Sequence, residues 1–210
     1  MLTRRDILHK SVALGSVVIA SHFSADAMLA AFQEKEKQLR KPTPPNPLGP
    51  FYKRLTPMKD MLRAPGDRGM PLTLSGRVFN TRGDVVPDAT IEIWQTNHQG
   101  YYDLDGYRYR GKRQVDKSGG YRFESVIPGH YPDKSRICQH VHYVVVAPGL
   151  KTLVTQLYFA TDPVFEGDPT KNYARDPLIE TPELIRPVML TGDPNEVHAE
   201  VQFELCLEHL

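Results

Sequence analysis

The sequence predicts an all-β fold, an antiparallel β-sandwich of about seven to nine strands with long loops. Its 18 prolines and 15 glycines are spread between short runs of β-branched and aromatic residues, a composition that suits strands and turns. Several of those runs alternate apolar and polar residues, as half-buried strands do. With 210 residues, of which 40% are hydrophobic, the chain is long enough for one globular domain.

The nearly equal numbers of basic and acidic residues limit the kinds of molecule that this protein is expected to bind. Lys and Arg total 26 against 25 for Asp and Glu, which gives a formal net charge of +1. No bulk field therefore favours nucleic acid or an anionic membrane surface, and small-molecule chemistry or protein contact remains. Cys138 and Cys206 are too few for a disulfide framework, so we interpret them as free, buried thiols.

The first 27 residues are typical of an export signal. Arg4 and Arg5 precede a modestly apolar stretch, SVALGSVVIA, and Ala25-Asp26-Ala27 supplies a small-residue cleavage site. We therefore expect residues 1–27 to be a twin-arginine signal peptide and the mature protein to be periplasmic or extracellular. The apolar stretch is too short to span a bilayer, so no stable membrane insertion is expected after cleavage.

Residues 28–70 are expected to form a short polar helix, AFQEKEKQLRK, followed by a proline-rich arm, KPTPPNPLGPFY. Because prolines interrupt a regular ladder, the arm should lie extended across another part of the molecule. It could also pack against a second copy of the chain, which leaves a homo-oligomer open.

Residues 71–210 carry the predicted strands of the sandwich. The segment RQVDKSGGYRFESV indicates a hairpin that turns at Ser-Gly-Gly. The other strands are expected in LTLSGRVF, ATIEIWQT, HVHYVVV, KTLVTQLYF, ELIRPVML and HAEVQFEL.

His140 and His142 lie two apart in an apolar strand, so their imidazoles share one face at a spacing that suits a metal. Taken alone the pair is weak evidence, because each ring could simply be hydrogen-bonded in a pocket. Tyr102 and Tyr131 lie in turn regions, where a tyrosine usually packs its ring and hydrates its hydroxyl. A phenolate is, however, a hard oxygen donor, and with imidazole it suits trivalent iron.

Three segments in order resemble the core of the intradiol ring-cleavage dioxygenases, and protocatechuate 3,4-dioxygenase and its relatives in particular. They are GRVFNTRGDVVPDATIEIWQTNHQGYY, DKSGGYRFESVIPGHYP and HVHYVVVAPGLKTLVTQLYF, within roughly Leu72 to Phe159. The short GPFY that ends at Tyr52 is also similar to an element near the N-terminus of that family.

The resemblance implies a non-haem Fe(III) cofactor held by Tyr102, Tyr131, His140 and His142, with Tyr131 and His142 as the axial ligands. The implied substrates are a catechol-type aromatic diol and O2, and the implied product is a muconate-type dicarboxylate that contains both oxygen atoms. Tyr131 would also be catalytic, because its displaced phenolate can accept a substrate proton. Gln156 matches a glutamine that lines the family's pocket.

The sequence departs from the family pattern at the arginine that normally lies three positions before the first histidine. Position 137 is isoleucine, and Arg136 lies four before His140. A one-residue slip points a strand side chain to the opposite face unless a bulge corrects it. Arg136 is therefore a candidate catalytic residue only if the backbone is irregular here, and its alternative is a surface cation.

A different class of protein also shares part of this pattern. Strands like those around Trp94 and the Ser-Gly-Gly turn occur in non-catalytic sandwich modules of the transthyretin-like or carboxypeptidase-regulatory kind. In either case we interpret Trp94 as a core residue, and His98 and His130 as loop residues or residues that support the ligands, and not as ligands themselves. The basic run YRYRGKRQ could face a substrate carboxylate, but we interpret it as a solvated strand edge.

Overall fold

The computed structural model describes residues 39–134, 136–194 and 196–210. The predicted twin-arginine signal and all but the end of the predicted polar helix lie outside these residues, so export stays a prediction. No helix among the described residues is long and apolar enough to cross a membrane.

Ten strands form the sandwich in the described part of the chain, and they are numbered in chain order. They are β1 (Pro71–Asn80), β2 (Thr90–Trp94), β3 (Arg110–Gln114), β4 (Gly120–Val126), β5 (His140–Val146), β6 (Leu153–Phe159), β7 (Ile185–Arg186), β8 (Met189–Thr191), β9 (His198–Gln202) and β10 (Leu205–Leu207). In the first sheet β1 pairs with β4, β9 and β10, and β8 pairs with β9. The second sheet has the order β3-β2-β5-β6-β7.

The predicted all-β sandwich is confirmed, with one more strand than the upper bound of the prediction. Most pairings are antiparallel, but β1 pairs in parallel with β9 and β10, and β6 pairs in parallel with β7. These parallel pairs arise because long connections, and not tight turns, bring the C-terminal strands back to the sheets.

The predicted hairpin at Ser-Gly-Gly is wrong, although the turn is present. Asp116 accepts hydrogen bonds from the backbone N–H groups of Ser118 and Gly120, which closes the turn. The flanking strands do not pair with each other, because β3 pairs with β2 and β4 pairs with β1. The turn therefore carries the chain from the second sheet to the first.

The connection between β6 and β7 contains short helical segments. A 3-10 helix, Pro163–Phe165, is followed by α1, Pro169–Asn172, and by two further 3-10 helices, Tyr173–Arg175 and Pro182–Leu184. Proline in the first turn of three of these helices needs no intrahelical hydrogen-bond donor, which explains why they begin there.

The core lies between the two sheets and is built by alternation along the strands. On β5, Val141, Tyr143 and Val145 belong to the buried apolar cluster, opposite the inward-facing residues of β2 and β6. Full burial of each such side chain is worth about 1.5–3 kcal/mol. Because successive side chains of a strand alternate, His140 and His142 lie on the outer face of the second sheet.

The proline-rich arm lies extended over this framework, as predicted. Near its start, Thr43 N–H donates to the Cys206 carbonyl and Asn46 N–H to the Val154 carbonyl. Further along, residues 57–62 form a strap across both sheets. Its Lys59 N–H donates to β3 at Lys112, and its Leu62 N–H donates to β4 at Glu124.

Candidate metal centre

Four side chains from three parts of the chain converge on the outer face of the second sheet. The Tyr102 hydroxyl lies 2.9 Å from the Tyr131 hydroxyl and 3.0 Å from His142 Nε2. His140 Nε2 lies 3.1 Å from the Tyr131 hydroxyl and 3.4 Å from the Tyr102 hydroxyl. The structure thus brings together all four residues predicted as metal ligands.

Two loops that are tied to each other position the tyrosines. Asn97 accepts the N–H of Tyr101 through its side chain, which shapes the loop that carries Tyr102. Its backbone carbonyl accepts the N–H of Gly129, in the loop that carries Tyr131. Gly100 has a φ of +87°, and a Cβ there would lie 1.7 Å from the His130 carbonyl oxygen. Only glycine therefore permits this approach of the two loops.

The hydrogen bond behind His140 fixes its tautomer. Its Nδ1 lies 2.7 Å from the Cys138 carbonyl oxygen, which can only accept. Nδ1 therefore carries the hydrogen, and the lone pair of Nε2 points toward the tyrosine hydroxyls. His142 Nε2 faces Tyr102, while its buried Nδ1 has no hydrogen-bond partner among the described residues.

Burial sets the protonation of the four groups in the absence of a cation. It lowers the pKa of His140, and together with the neighbouring His140 it lowers the pKa of His142 well below the ordinary value. Burial also raises the pKa of Tyr102 and of Tyr131. Burial therefore favours the neutral form of all four groups, and a bound cation would favour the phenolates.

Aromatic residues hold two of the four rings in place. Phe51 from the arm stacks on Tyr102 with the ring centroids 4.3 Å apart, and Trp94 of β2 stacks on His142 at 4.7 Å. Trp94 is buried as predicted, but on the face of the site and not in the core between the sheets. Alternation along β2 could have shown this, because Ile91 and Ile93 face the core and Trp94 therefore pairs outward with His142.

A buried carboxylate joins the Tyr131 loop to the start of β5. Asp162 Oδ2 lies 2.9 Å from His130 Nε2 and accepts the N–H of Gln139 at 2.7 Å. His130 precedes Tyr131, and Gln139 precedes His140. Asp162 thus holds the neighbours of two candidate ligands, and His130 is a supporting residue as predicted.

Arg110 is an arginine of the site that the sequence did not single out. It is buried on β3, its guanidinium carbon lies 5.7 Å from the centre of the Tyr102 ring, and it donates to the Phe51 carbonyl at 2.7 Å. The structure records no carboxylate partner for it among the described residues. The run YRYRGKRQ was predicted to be a solvated edge, which is wrong for Arg110 and correct for the exposed Arg108.

The structure does not bring Arg136 to the four donors. Arg136 is exposed and lines a groove with Val164, Glu166 and Arg175. No bulge reorients it, because β5 begins only at His140 and residues 136–137 belong to a turn. The structure thus favours the surface-cation alternative.

Gln156 lies beside His142 in the register of β5 and β6. Both ends of its amide group are held, because Nε2 donates to the Pro47 carbonyl and Oε1 accepts from the Tyr158 hydroxyl, both at 2.8 Å. Gln156 therefore fastens the arm over the site.

A cleft of about 300 Å³ opens beside the two tyrosines. Phe51, the 100–104 loop and the 131–134 loop line it, and both Tyr102 and Tyr131 contribute to its surface. We call it the tyrosine cleft. A larger cleft of about 520 Å³ lies beside Asp67 and Arg108 and includes Tyr102 but not Tyr131. Of these two clefts, the tyrosine cleft is the one lined by both Tyr102 and Tyr131.

Comparison with known proteins identifies relatives of this chain. The Dioxygenase family model, Dioxygenase_C, matches residues 48–209. The chain is 36% identical over 138 residues to hydroxyquinol 1,2-dioxygenase of Rhodococcus opacus, a match that covers 56% of this chain and 45% of the relative. It is 34% identical over 133 residues to chlorocatechol 1,2-dioxygenase of Cupriavidus pinatubonensis, covering 53% and 52%. The chain spans about half the length of the curated relatives it matches.

Solved structures agree with these matches. The dioxygenase domain of a dioxygenase and carbohydrate-binding protein fusion from Streptomyces sp. SirexAA-E has a TM-score of 0.69 and 29% identity, and covers 81% of this chain and 100% of that one. For 3-chlorocatechol 1,2-dioxygenase of Rhodococcus opacus the TM-score is 0.70 at 18% identity, over 87% and 78%, which supports the fold alone. The relatives are dioxygenases and not transthyretin-like modules, and the family model covers most of the chain. The chain therefore belongs to the intradiol ring-cleavage dioxygenase family.

Proposed function

We propose that this chain binds Fe(III) through Tyr102, Tyr131, His140 and His142 and cleaves a catechol-type aromatic with O2 to a muconate-type dicarboxylate. The observation that carries the proposal is the convergence of these four donor atoms, with neighbours 2.9–3.4 Å apart, beside a cleft. The relatives named above act on hydroxyquinol and chlorocatechol according to their names, and both compounds contain a catechol unit, which supports this class of substrate.

The chemistry of the donor set fits trivalent iron. Two phenol oxygens and two imidazole nitrogens form a hard, partly anionic set that suits Fe(III). No group of three or more His, Cys, Asp or Glu side chains that could hold a metal occurs in the part of the chain that the structure describes. A metal at this place would therefore need the tyrosines.

The residues of the chain have separate tasks in this reaction. A bound Fe(III) would supply Lewis acidity and a template for the diol. His140 and His142 offer lone pairs, because Cys138 fixes the tautomer of the first and burial keeps the second neutral. Tyr131 lines the cleft, so its phenolate oxygen is placed to take a proton from an entering catechol. Phe51 stacks on the ring of Tyr102 and Trp94 stacks on the ring of His142, so these two residues orient two of the four donors.

Iron content and colour test the proposal. Purified protein loaded with iron should hold about one Fe(III) per chain and show the burgundy charge-transfer band of a tyrosinate complex. Tyr102→Phe should weaken or shift this band, and His142→Ala should remove most of the iron. Tyr173→Phe, which changes a half-buried tyrosine outside the site, is the matched control. Colourless, iron-free protein after faithful loading would contradict the proposal, as would a site that keeps its iron in the His142→Ala variant.

A further inference from the structure

The tyrosine cleft is larger than the ring that the proposed function requires. A cavity of roughly 150 Å³ lined by apolar residues is enough to bind benzene. The tyrosine cleft measures about 300 Å³, so a catechol ring placed beside Tyr102 and Tyr131 fills about half of it.

Two large side chains that line the cleft are left open to solvent. Tyr101 is 58% exposed and Leu104 is 65% exposed, although both are large and apolar. The Tyr101 ring stacks on no other aromatic ring among the described residues, and both side chains line the same cleft as the two tyrosines. Large apolar side chains left open beside a binding site commonly mark a contact for an apolar ligand.

The wall formed by residues 132–134 is of different character. Pro132 is apolar, and Asp133 and Lys134 follow it in the chain and are exposed. Adjacent charges of opposite sign largely cancel at a distance, so this wall gives no strong preference for an anionic substituent. The cleft therefore selects for apolar surface more than for charge.

We propose that the substrate is a catechol with an apolar or aromatic substituent, which lies against Tyr101 and Leu104. This inference rests on the proposed function. The substituent belongs on ring carbon 4, because that carbon points away from two hydroxyls directed at the four donors. An aromatic substituent gains most, since it can stack on Tyr101 as well as bury surface on Leu104.

Turnover of a diol series tests the substrate class. The kcat/KM for 4-phenylcatechol should exceed that for catechol and for 3,4-dihydroxybenzoate by about tenfold, the lower end of the effect of added apolar contact. Tyr101→Ala and Leu104→Ala should each reduce this preference at least threefold. Leu190→Ala changes a leucine that is 60% exposed on β8, outside the cleft, and should leave the preference unchanged. A preference for catechol or for the carboxylate, or one that Leu104→Ala leaves intact, would overturn the inference.

Binding of a ligand that cannot chelate separates this inference from the proposed function. 4-Phenylphenol should bind the full chain about tenfold more tightly than phenol in calorimetry, and Leu104→Ala should reduce that difference at least threefold. If no diol is consumed but this binding pattern holds, the proposed reaction fails while the apolar subsite stands. Equal binding of the two phenols overturns the subsite whatever the enzyme activity shows.

Discussion

Asp162 shows how one residue can hold two remote parts of a site in register. Its carboxylate is 1% exposed and contacts both the Tyr131 loop, through His130, and the start of β5, through Gln139. Burial raises the pKa of Asp162, but hydrogen bonds from His130, Gln139 and Val164 outweigh it and leave the pKa below its ordinary value. The charged form is therefore the stabilising one.

Replacement of Asp162 by asparagine tests this role. At pH 7 we expect Asp162→Asn to lower the free energy of unfolding by about 2 kcal/mol, because hydrogen bonds to a buried charge are lost. Because the pKa of Asp162 is lower in the folded than in the unfolded protein, the charged carboxylate stabilises the folded protein at pH values above the unfolded-state pKa. This stabilisation is lost as the pH falls through the folded-state pKa. The difference between wild type and variant should therefore shrink below about pH 4.

Urea unfolding at pH 7 and pH 3 measures the effect. Asp168→Asn is the control, since this exposed residue caps α1 and asparagine caps equally well, so a change within about 0.5 kcal/mol is expected. A difference for Asp162→Asn that is the same at both pH values would contradict the assigned role of the charge.

The sequence predicted those site residues whose role can be recognised from neighbouring residues or from a family pattern. It did not predict those whose role depends on contacts with distant parts of the chain. His140 and His142 were found from local alternation, and the tyrosines from chemistry joined to a family pattern. Arg110 could not be separated from Arg108, because both lie in one basic run and only the docking of Phe51 on β3 buries one of them. Arg136 was ambiguous because the sequence does not show where β5 begins.

At the scale of the element, the arm contributes directly to the site. Gly49 has a φ of +75°, and a Cβ there would lie 3.1 Å from His142 Cε1. Gln156 fastens the preceding Pro47, and Phe51 follows with its ring on Tyr102. The extended course of the arm was predictable from its prolines. The place where it packs was not predictable, because the residues of the arm do not show which distant residues they contact.

Alanine at position 49 should combine backbone strain with pressure on His142. We expect Gly49→Ala to cost about 1–2 kcal/mol of unfolding free energy from the left-handed backbone alone. The displaced imidazole should also change the fluorescence of Trp94, which stacks on it and is the single tryptophan of the chain.

Gly149→Ala is a close control for that variant. Gly149 has a φ of +72°, but a Cβ added there would have no other atom within 4 Å among the described residues. It should lose similar stability and leave the Trp94 emission of the folded protein unchanged. The same emission spectrum in both variants would show that the arm does not press on His142.

The strand connections show a second feature that neighbouring residues in the sequence do not determine, namely which strands pair. The Ser-Gly-Gly turn was correctly located, because Asp116 and glycine specify it over a few residues. The partners of β3 and β4 lie in β2 and β1, and are chosen by the fit of apolar faces across the sandwich. The residues of the turn therefore showed where the chain reverses direction, but they did not show which strands pair.

At the scale of the whole molecule, the strap at residues 57–62 makes the two sheets one cooperative unit. Besides its backbone hydrogen bonds to β3 and β4, it inserts Leu62, which is buried in the shared core. The described residues accordingly belong to one compact unit.

Removal of the Leu62 side chain should destabilise both sheets together. Leu62→Ala is expected to cost about 2–5 kcal/mol, the usual range for a buried leucine. Trp94 fluorescence and far-UV circular dichroism should report the same lowered urea midpoint. The neighbouring Met61→Ala, at a residue that is 53% exposed, should shift the midpoint little. Two separate midpoints for the two probes would contradict a single unit.

The strap also determines how two copies of this chain can meet. An open strand edge offers unpaired N–H and C=O groups to another chain, and proteins avoid aggregation by covering such edges. Residues 57–62 occupy the edges of β3 and β4, and Thr43 occupies part of β10. β8 is a further edge strand in the described chain, and Met189 and Leu190 on it are exposed. A strand of a second molecule could pair with β3 or β4 only after the strap had detached. Self-association at these two edges is therefore restricted to partially unfolded molecules.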